Sequence, residues 1–357
     1  MTRIIRARVD AAALRHNLRQ IRAAAPGARV MAVVKANAYG HGLVPTALAL
    51  PDADAFAVAR LEEGLQLRSA GILQPIVLLE GVFSSEQLAE AARHGFELVV
   101  HDPLQLALLE GHAGPHRFTL WLKIDTGMNR LGFRPEEFAA AYRRLQTLAV
   151  PALEIRLLTH LARADELDCD MTREQVARFR ALLPPGVVTS IGNSAGTLGW
   201  AEARGDWVRP GLALYGVSPF PERIGADLGL RAAMTLETTV IAMRRVPSGE
   251  TVGYGGAWRA SRESRIAILA AGYGDGLSRH LATGTPVRVG RREAPLVGRV
   301  SMDMIAVDVT DLDDVTVGSS AQIWGSALPV ERVAAHAGTI AYELICGVSQ
   351  RVPLELD

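Results

Sequence analysis

The sequence predicts an α/β chain: a (β/α)8 barrel of the TIM type followed by a mostly antiparallel β domain. Three observations lead there. Over the first two-thirds of the chain, eight short apolar runs rich in β-branched residues alternate with stretches of helical spacing. The first of these runs is not followed by the glycine-rich phosphate turn that an open dinucleotide-binding sheet would carry. Beyond Pro219–Gly229 helical spacing nearly vanishes, and short strand-like runs take over between turns of Gly, Pro, Asp and Ser. The expected domains are residues 1–229 for the barrel and 230–357 for the β domain, the latter also supplying dimer contacts.

The expected barrel strands are Val30–Lys35, Ala55–Ala59, Pro75–Glu80, Leu98–His101, Phe118–Asp125, Leu153–His160, Val187–Asn193 and Asp206–Tyr215. They are apolar on both faces, the pattern of a parallel sheet covered on both sides. Helices are expected at Arg60–Ala70, Ser85–His94, Pro103–Glu110, Pro135–Thr147 and Thr172–Leu183. Ser84-Ser85-Glu86, Asp102-Pro103 and Arg134-Pro135 mark helix starts. Eight strand–helix units in roughly 230 residues suit a closed barrel. The later strands are expected at Thr235–Met243, Arg265–Leu269, Pro286–Val289, Met304–Val309 and Ala321–Trp324, with a helix at Val330–Ala337.

Composition excludes several classes of function. Thirty-eight basic residues balance 38 acidic ones, so neither nucleic acid nor an anionic membrane surface is an expected partner. The two cysteines, Cys169 and Cys346, stand in no CxxC pattern, which fits a reducing compartment and no zinc. No signal-peptide core and no membrane-spanning run is expected, and the default location is the cytoplasm. His112 and His116 have metal-like spacing, but Gly114-Pro115 between them breaks any helix, and no metal is expected.

In such a barrel the reactive groups collect where strands end. Those ends carry Lys35, Lys123 through Arg130, His160, Asn193-Ser194 and Arg209-Pro210-Gly211. Lys35 closes the apolar run Val30-Met31-Ala32-Val33-Val34, where low dielectric favours the neutral, nucleophilic amine needed to form an imine. On its own the same position equally suits a lysine snorkelling from a strand end.

Residues 32–42, Ala-Val-Val-Lys-Ala-Asn-Ala-Tyr-Gly-His-Gly, resemble the cofactor-lysine segment of bacterial alanine racemases. So do residues 123–132 (KIDTGMNRLG), Thr159-His160, Asn193-Ser194-Ala195, 209–216 (RPGLALYG), 252–256 (VGYGG), 272–276 (GYGDG), 298–303 (GRVSMD) and Ala341-Tyr342-Glu343, all in the family's order. The resemblance implies a pyridoxal-phosphate-dependent isomerase acting on alanine, with active sites shared across a homodimer. Its D-alanine would feed peptidoglycan, or the enzyme would degrade D-alanine.

Racemisation needs a base on each face of Cα and a cofactor to spread the charge left there. The resemblance makes Lys35 the cofactor lysine and one base, and Tyr254 of the partner subunit the other. It sets Arg209 against the pyridine nitrogen, with His160 orienting it. A guanidinium gives up no proton, which disfavours transamination. Tyr39, Asn193, Ser194, Gly211, Leu212 and Tyr342 are implied to bind the cofactor, mostly at its phosphate. Arg130 would meet the substrate carboxylate or the phenolic oxygen, and Met302 would act through its backbone N–H. Lys123 matches a position that is carbamylated in many relatives, an unmodified lysine being the alternative. Tyr273 and Tyr342 would form the access gate. A decarboxylase of the same plan would carry an acid at position 209 and commonly a cysteine near Tyr254. A non-enzymatic pyridoxal-phosphate-binding protein would lack the β domain.

Overall fold

The computed structural model describes residues 4–150 and 152–357. It consists of two compact units. One holds Arg15–Ala38 and Leu43–Leu214; the other holds the described residues through Leu14, together with Tyr39–Gly42 and Tyr215–Asp357. Packing therefore gathers the second unit from three separate stretches of chain.

The chain opens with strand β1 (Arg6–Val9) and helix α1 (Ala11–Ala24). Eight parallel strands then close a barrel: β2 (Arg29–Val33), β3 (Ala55–Val58), β4 (Ile76–Leu78), β5 (Glu97–Val100), β6 (Thr119–Lys123), β7 (Glu154–Leu158), β8 (Thr189–Ser190) and β9 (Trp207–Val208). Every residue of β3, β4 and β6 is buried, as the unbroken apolar runs require. Each fully buried Leu, Val or Ile there contributes about 1.5–3 kcal/mol relative to exposure.

Between the strands run α2 (Leu43–Ala49), α3 (Leu61–Ser69), α4 (Ser85–His94), α5 (Pro103–Glu110), α6 (Phe138–Gln146), α7 (Met171–Arg180) and α8 (Ser194–Gly199). Ser84 caps α4 by accepting from Gln87 N–H, and Asp102 caps α5 by accepting from Leu104 N–H. All eight expected strands are present, but the last two are much shorter than expected. The chain leaves β8 early because Asn193 caps α8, accepting from Gly196 N–H at 2.9 Å. It leaves β9 where Pro210 has no N–H to offer. Helix α6 begins three residues later than expected, because Arg134–Glu137 form a separate turn in which Glu137 accepts from Arg134 N–H.

The second unit is a sheet in the order β13-β16-β15-β14-β17-β10-β1-β18. Its strands are β10 (Met234–Val246), β13 (Ser264–Leu269), β14 (Pro286–Val289), β15 (Arg292–Val297), β16 (Ile305–Asp308), β17 (Ser320–Trp324) and β18 (Leu354–Leu356). A small separate pair, β11 (Thr251–Val252) with β12 (Trp258–Arg259), frames the turn that bears Tyr254. Long β10 pairs with β17 and also with β13, so six strands return on themselves. Only β1 and β18 pair in parallel within this sheet. From Met234 to Val240 buried and half-buried residues alternate along β10, the period of a strand with one face in the core.

Helix α9 (Val330–Ala337) lies where expected. Helix α10 (Ala341–Cys346) was not foreseen, its six residues being too few to display a helical period. Among the described residues no helix is long and apolar enough to cross a membrane, and no His, Cys, Asp or Glu cluster suits a metal ion.

Candidate active site

The C-terminal ends of the barrel strands gather four cations around one imidazole. Lys35 follows β2, Lys123 ends β6, Arg130 lies in the loop beyond β6, and Arg209 follows β9. All four act electrostatically on His160, which follows β7. Burial and then this surrounding positive charge hold His160 well below the ordinary histidine range, so the ring is neutral.

Arg209 is 4% exposed. Its Nη1 donates to Ser190 Oγ at 2.6 Å, and Nη2 donates to the carbonyls of Thr159 at 2.5 Å and Ile191 at 3.1 Å. Ser190 Oγ in turn donates to the Trp207 carbonyl at 2.8 Å. Nη2 also donates to His160 Nδ1 at 3.4 Å, which leaves the imidazole proton on Nε2. No carboxylate pairs with Arg209 among the described residues. Burial alone draws its pKa down to about 10, still far above neutrality. Its Nε–H is matched by no acceptor among the described residues, so one donor remains for a ligand.

Lys123 is 8% exposed. Burial, followed by repulsion from Arg209 and Arg130, lowers its pKa to about 8. Nearby Asp125 offers little relief, because its carboxylate is occupied by backbone. Its Oδ1 accepts from Gly127 and Asn129 N–H at 2.9 and 3.1 Å, and its Oδ2 accepts from Arg130 N–H at 3.0 Å. Burial pushes the Asp125 carboxyl up, but these backbone bonds outweigh it and hold the pKa low. Asp125 is thus the residue that folds the loop presenting Arg130, with Asn129 at a positive φ of 57°. Nothing in the sequence of this block sets Asp125 apart for that task.

Ser194 Oγ accepts from the N–H groups of Gly211 and Ala213 at 3.0 and 3.2 Å, on either side of Leu212. The hydroxyl proton stays available to a further acceptor.

Lys35 is followed by one left-handed turn. Ala36, Asn37, Ala38 and Tyr39 have φ of 53°, 54°, 53° and 52°. For residues with a Cβ this conformation costs roughly 1–2 kcal/mol each. It is held by Glu63, which accepts from Ala36 N–H at 2.7 Å, and by Asn37, whose Oδ1 accepts from Leu43 N–H at 2.8 Å. No helical or strand period signals such a turn, and Glu63 was missed.

The second unit carries the remaining expected residues. Tyr39 is buried, its ring stacked 4.9 Å from Tyr215 and tilted against Tyr342 at 5.9 Å. Burial pushes its phenol well above the ordinary tyrosine range, so it keeps its proton as a donor. Tyr254 is 64% exposed on its glycine-rich turn, and Tyr273 and Met302 are also exposed. The guanidinium of Arg299 flanks the Tyr254 turn beside Gly255. The structure therefore brings Lys35, Lys123, Arg130, His160 and Arg209 into one cluster. Tyr254 stands outside any cluster formed within its own unit.

Comparison with known proteins gives one answer. Family models described as the N-terminal and C-terminal domains of alanine racemase match residues 9–219 and 233–356. An alanine racemase of Shewanella sediminis is 49% identical, with 99% of each chain covered. A biosynthetic alanine racemase of Shigella sonnei is 47% identical, with 97% of each chain covered. The crystal structure of the biosynthetic alanine racemase from Pseudomonas aeruginosa superposes with a TM-score of 0.97 at 42% identity over the whole of both chains. The two matched domains, and identity near one half along the full length, establish that this chain belongs to the alanine racemase family of isomerases.

Proposed function

We propose that the chain interconverts L- and D-alanine with pyridoxal 5'-phosphate, using Lys35 and Tyr254 as bases on opposite faces of the substrate Cα. Tyr254 comes from a second copy of the chain. The observation that carries this reading is Arg209: a buried guanidinium with no carboxylate partner among the described residues and its Nε–H left unmatched.

The chain's residues fit the cofactor. Four cations with almost no compensating carboxylate suit a phosphate dianion and a phenolic oxygen. The Ser194 hydroxyl retains its proton for a phosphate oxygen, and Tyr39 keeps its phenolic proton. Asn193, Gly211, Leu212 and Tyr342 complete the expected set. When bound, the cofactor supplies the electron sink that lets an amino acid lose its Cα proton.

Lys35 holds the cofactor and moves the proton on one face. Arg209 would donate to the ring nitrogen of the cofactor without giving up its own proton, which would keep the bound group a weaker electron sink and favour proton transfer over side reactions. His160, neutral and bonded to Arg209 through Nδ1, would hold that guanidinium in its orientation. Arg130, aimed by Asp125, binds the substrate carboxylate. Met302 offers its backbone N–H, and Tyr273 with Tyr342 narrows access to favour a small side chain. Tyr254, mostly exposed in a single chain, suits a base completed by a partner subunit. Cys169 and Cys346 form no disulfide among the described residues, which supports a cytoplasmic enzyme.

The test follows D-alanine formed from L-alanine by the purified protein with pyridoxal phosphate. Lys35→Ala and Tyr254→Phe each lower the rate by at least about 10²–10⁴-fold. Unfolded and refolded together, the two inactive variants recover roughly a quarter of wild-type activity, because half of the dimers hold one intact site. No recovery on mixing refutes the shared site. No D-alanine from cofactor-loaded wild type refutes the racemase reading.

A further inference from the structure

We propose that Arg351 is a positioning residue that locks the Tyr273 loop to the Met302 loop and thereby sets substrate affinity and size selection. The inference rests on the reading of Tyr273 and Met302 as substrate-facing.

Arg351 bridges two carboxylates. Its Nη2 donates to Asp303 Oδ1 at 2.7 Å, and its Nε lies 3.3 Å from Asp275 Oδ1. Asp303 is the neighbour of Met302, and Asp275 closes the short turn that starts at Tyr273. Asp275 is buried, and its Oδ2 accepts from Gly272 N–H at 2.9 Å, so the ion pair is anchored in the turn itself. The two loops also bond directly: Tyr273 N–H donates to the Ser301 carbonyl at 3.0 Å, and Gly274 N–H to the Met302 carbonyl at 2.8 Å.

The segment leading to Arg351 tightens this contact. Ser349 N–H donates to the Asp275 carbonyl at 3.0 Å, and Ser349 Oγ donates to the Gly274 carbonyl at 2.9 Å. Two glycines make the approach possible. A Cβ at Gly272 would collide with the Met302 carbonyl, and one at Gly276, where φ is +104°, would collide with the Gly347 carbonyl. Among the described residues, the side-chain charge tying both loops together is the Arg351 guanidinium. Meanwhile the Met302 N–H is used by no acceptor among the described residues, so the lock holds it ready for a ligand.

A planar guanidinium spans two carboxylates in fixed geometry, which a lysine ammonium does not reproduce. The test compares wild type with Arg351→Ala, Arg351→Lys and Asp303→Asn, reading KM and kcat for L-alanine and for the larger L-2-aminobutyrate. Arg351→Ala is expected to raise KM for alanine about tenfold, below the roughly hundredfold that a misplacement of about 1 Å can cost, with a smaller fall in kcat. The preference for alanine over 2-aminobutyrate narrows in parallel. Arg351→Lys recovers part of both effects, and Asp303→Asn moves both in the same direction by less. Asp303→Asn keeps the buried Asp275 paired, so it reports even where Arg351→Ala fails to fold. Unchanged KM and preference in folded Arg351→Lys and Asp303→Asn overturn the proposal. Tyr273→Ala separates the two levels. If it shifts the preference while the Arg351 variants do not, the lock alone fails; if it shifts nothing, the reading of the gate fails.

Discussion

Toward the N-terminal end of the barrel, the Arg156 guanidinium lies against the rings of Trp121 and Trp207, 5.1 and 5.5 Å from their centroids. It bonds to Glu97 at 3.2 Å and to Glu154 at 2.5 Å, and Trp121 Nε1 donates to Glu97 at 2.7 Å. At the C-terminal end, Arg209 is equally sequestered but faces carbonyls, a hydroxyl and other cations. Both ends draw on the same strands: Trp121 precedes Lys123 by two residues on β6, and Arg156 on β7 precedes His160 by four. One end closes its electrostatics within the chain, which serves stability. The other leaves positive charge uncompensated, which costs stability and is relieved by an anionic ligand.

The largest expected effect breaks the comparison at its open end. Arg209→Met is expected to lower kcat/KM for alanine by about 10²–10³-fold, as loss of a preorganised donor does. Because no carboxylate is orphaned, folding loses at most the four hydrogen bonds of Arg209, about 0.5–1.5 kcal/mol each. Racemisation kinetics beside urea unfolding check both halves. A variant that keeps activity within about threefold would show that the uncompensated charge serves nothing chemical.

At the closed end the division of effects reverses. Arg156→Met strands Glu97 in the core and is expected to cost about 3–5 kcal/mol, while kcat/KM of the folded enzyme stays near wild type. Its pH dependence follows from Glu97. Burial already pushes that carboxyl up, and Arg156 and Trp121 only partly offset the rise. A carboxyl raised on folding supports the fold while protonated, and that support is lost as pH climbs through the raised value. Removing Arg156 raises it further. The gap between variant and wild-type unfolding midpoints should therefore widen from about pH 5 to pH 8. A gap that is constant with pH would mean that Glu97 is not the group left stranded.

The two ends also differ in how far the sequence reveals them. The eight barrel strands, their helices and the lysine, arginine and histidine at strand ends are legible, because apolar runs and strand termini depend on local order. The cluster of Lys123, Arg130, His160 and Arg209 could be anticipated once the barrel was predicted. What supports it was not legible. Thr159 and Ile191 hold Arg209 through carbonyls, which leave no mark on residue identity. Glu63 stabilises the left-handed turn from 27 residues away, and Arg351 reaches Asp303 across 48. The Glu97–Arg156 pair, 59 residues apart, was equally invisible. The strand β1 was missed because it joins its sheet by pairing with β10 and β18, both more than 200 residues on.

The smallest expected effect sharpens the comparison at Lys123. An amine with a pKa near 8 is partly neutral at physiological pH, and the neutral form is the one that attacks CO2. The nitrogen forms a bond to carbon, the amine proton passes to solvent, and a carboxylate remains on the side chain. The neutral fraction grows as pH rises through about 8, so at fixed dissolved CO2 the carbamate should become more occupied over that interval. Activity is expected to rise roughly twofold to fivefold on adding CO2 to depleted enzyme, more at about pH 8.5 than at pH 7, with no response in Lys123→Ala. Carbon-13 spectra of enzyme equilibrated with labelled CO2 check the bond itself. A wild type indifferent to CO2, without a carbamate resonance, would leave Lys123 a plain cation. A positive result would mean that the open end acquires from solution the carboxylate that Glu97 provides by sequence at the closed end, and that Arg130 is held by it.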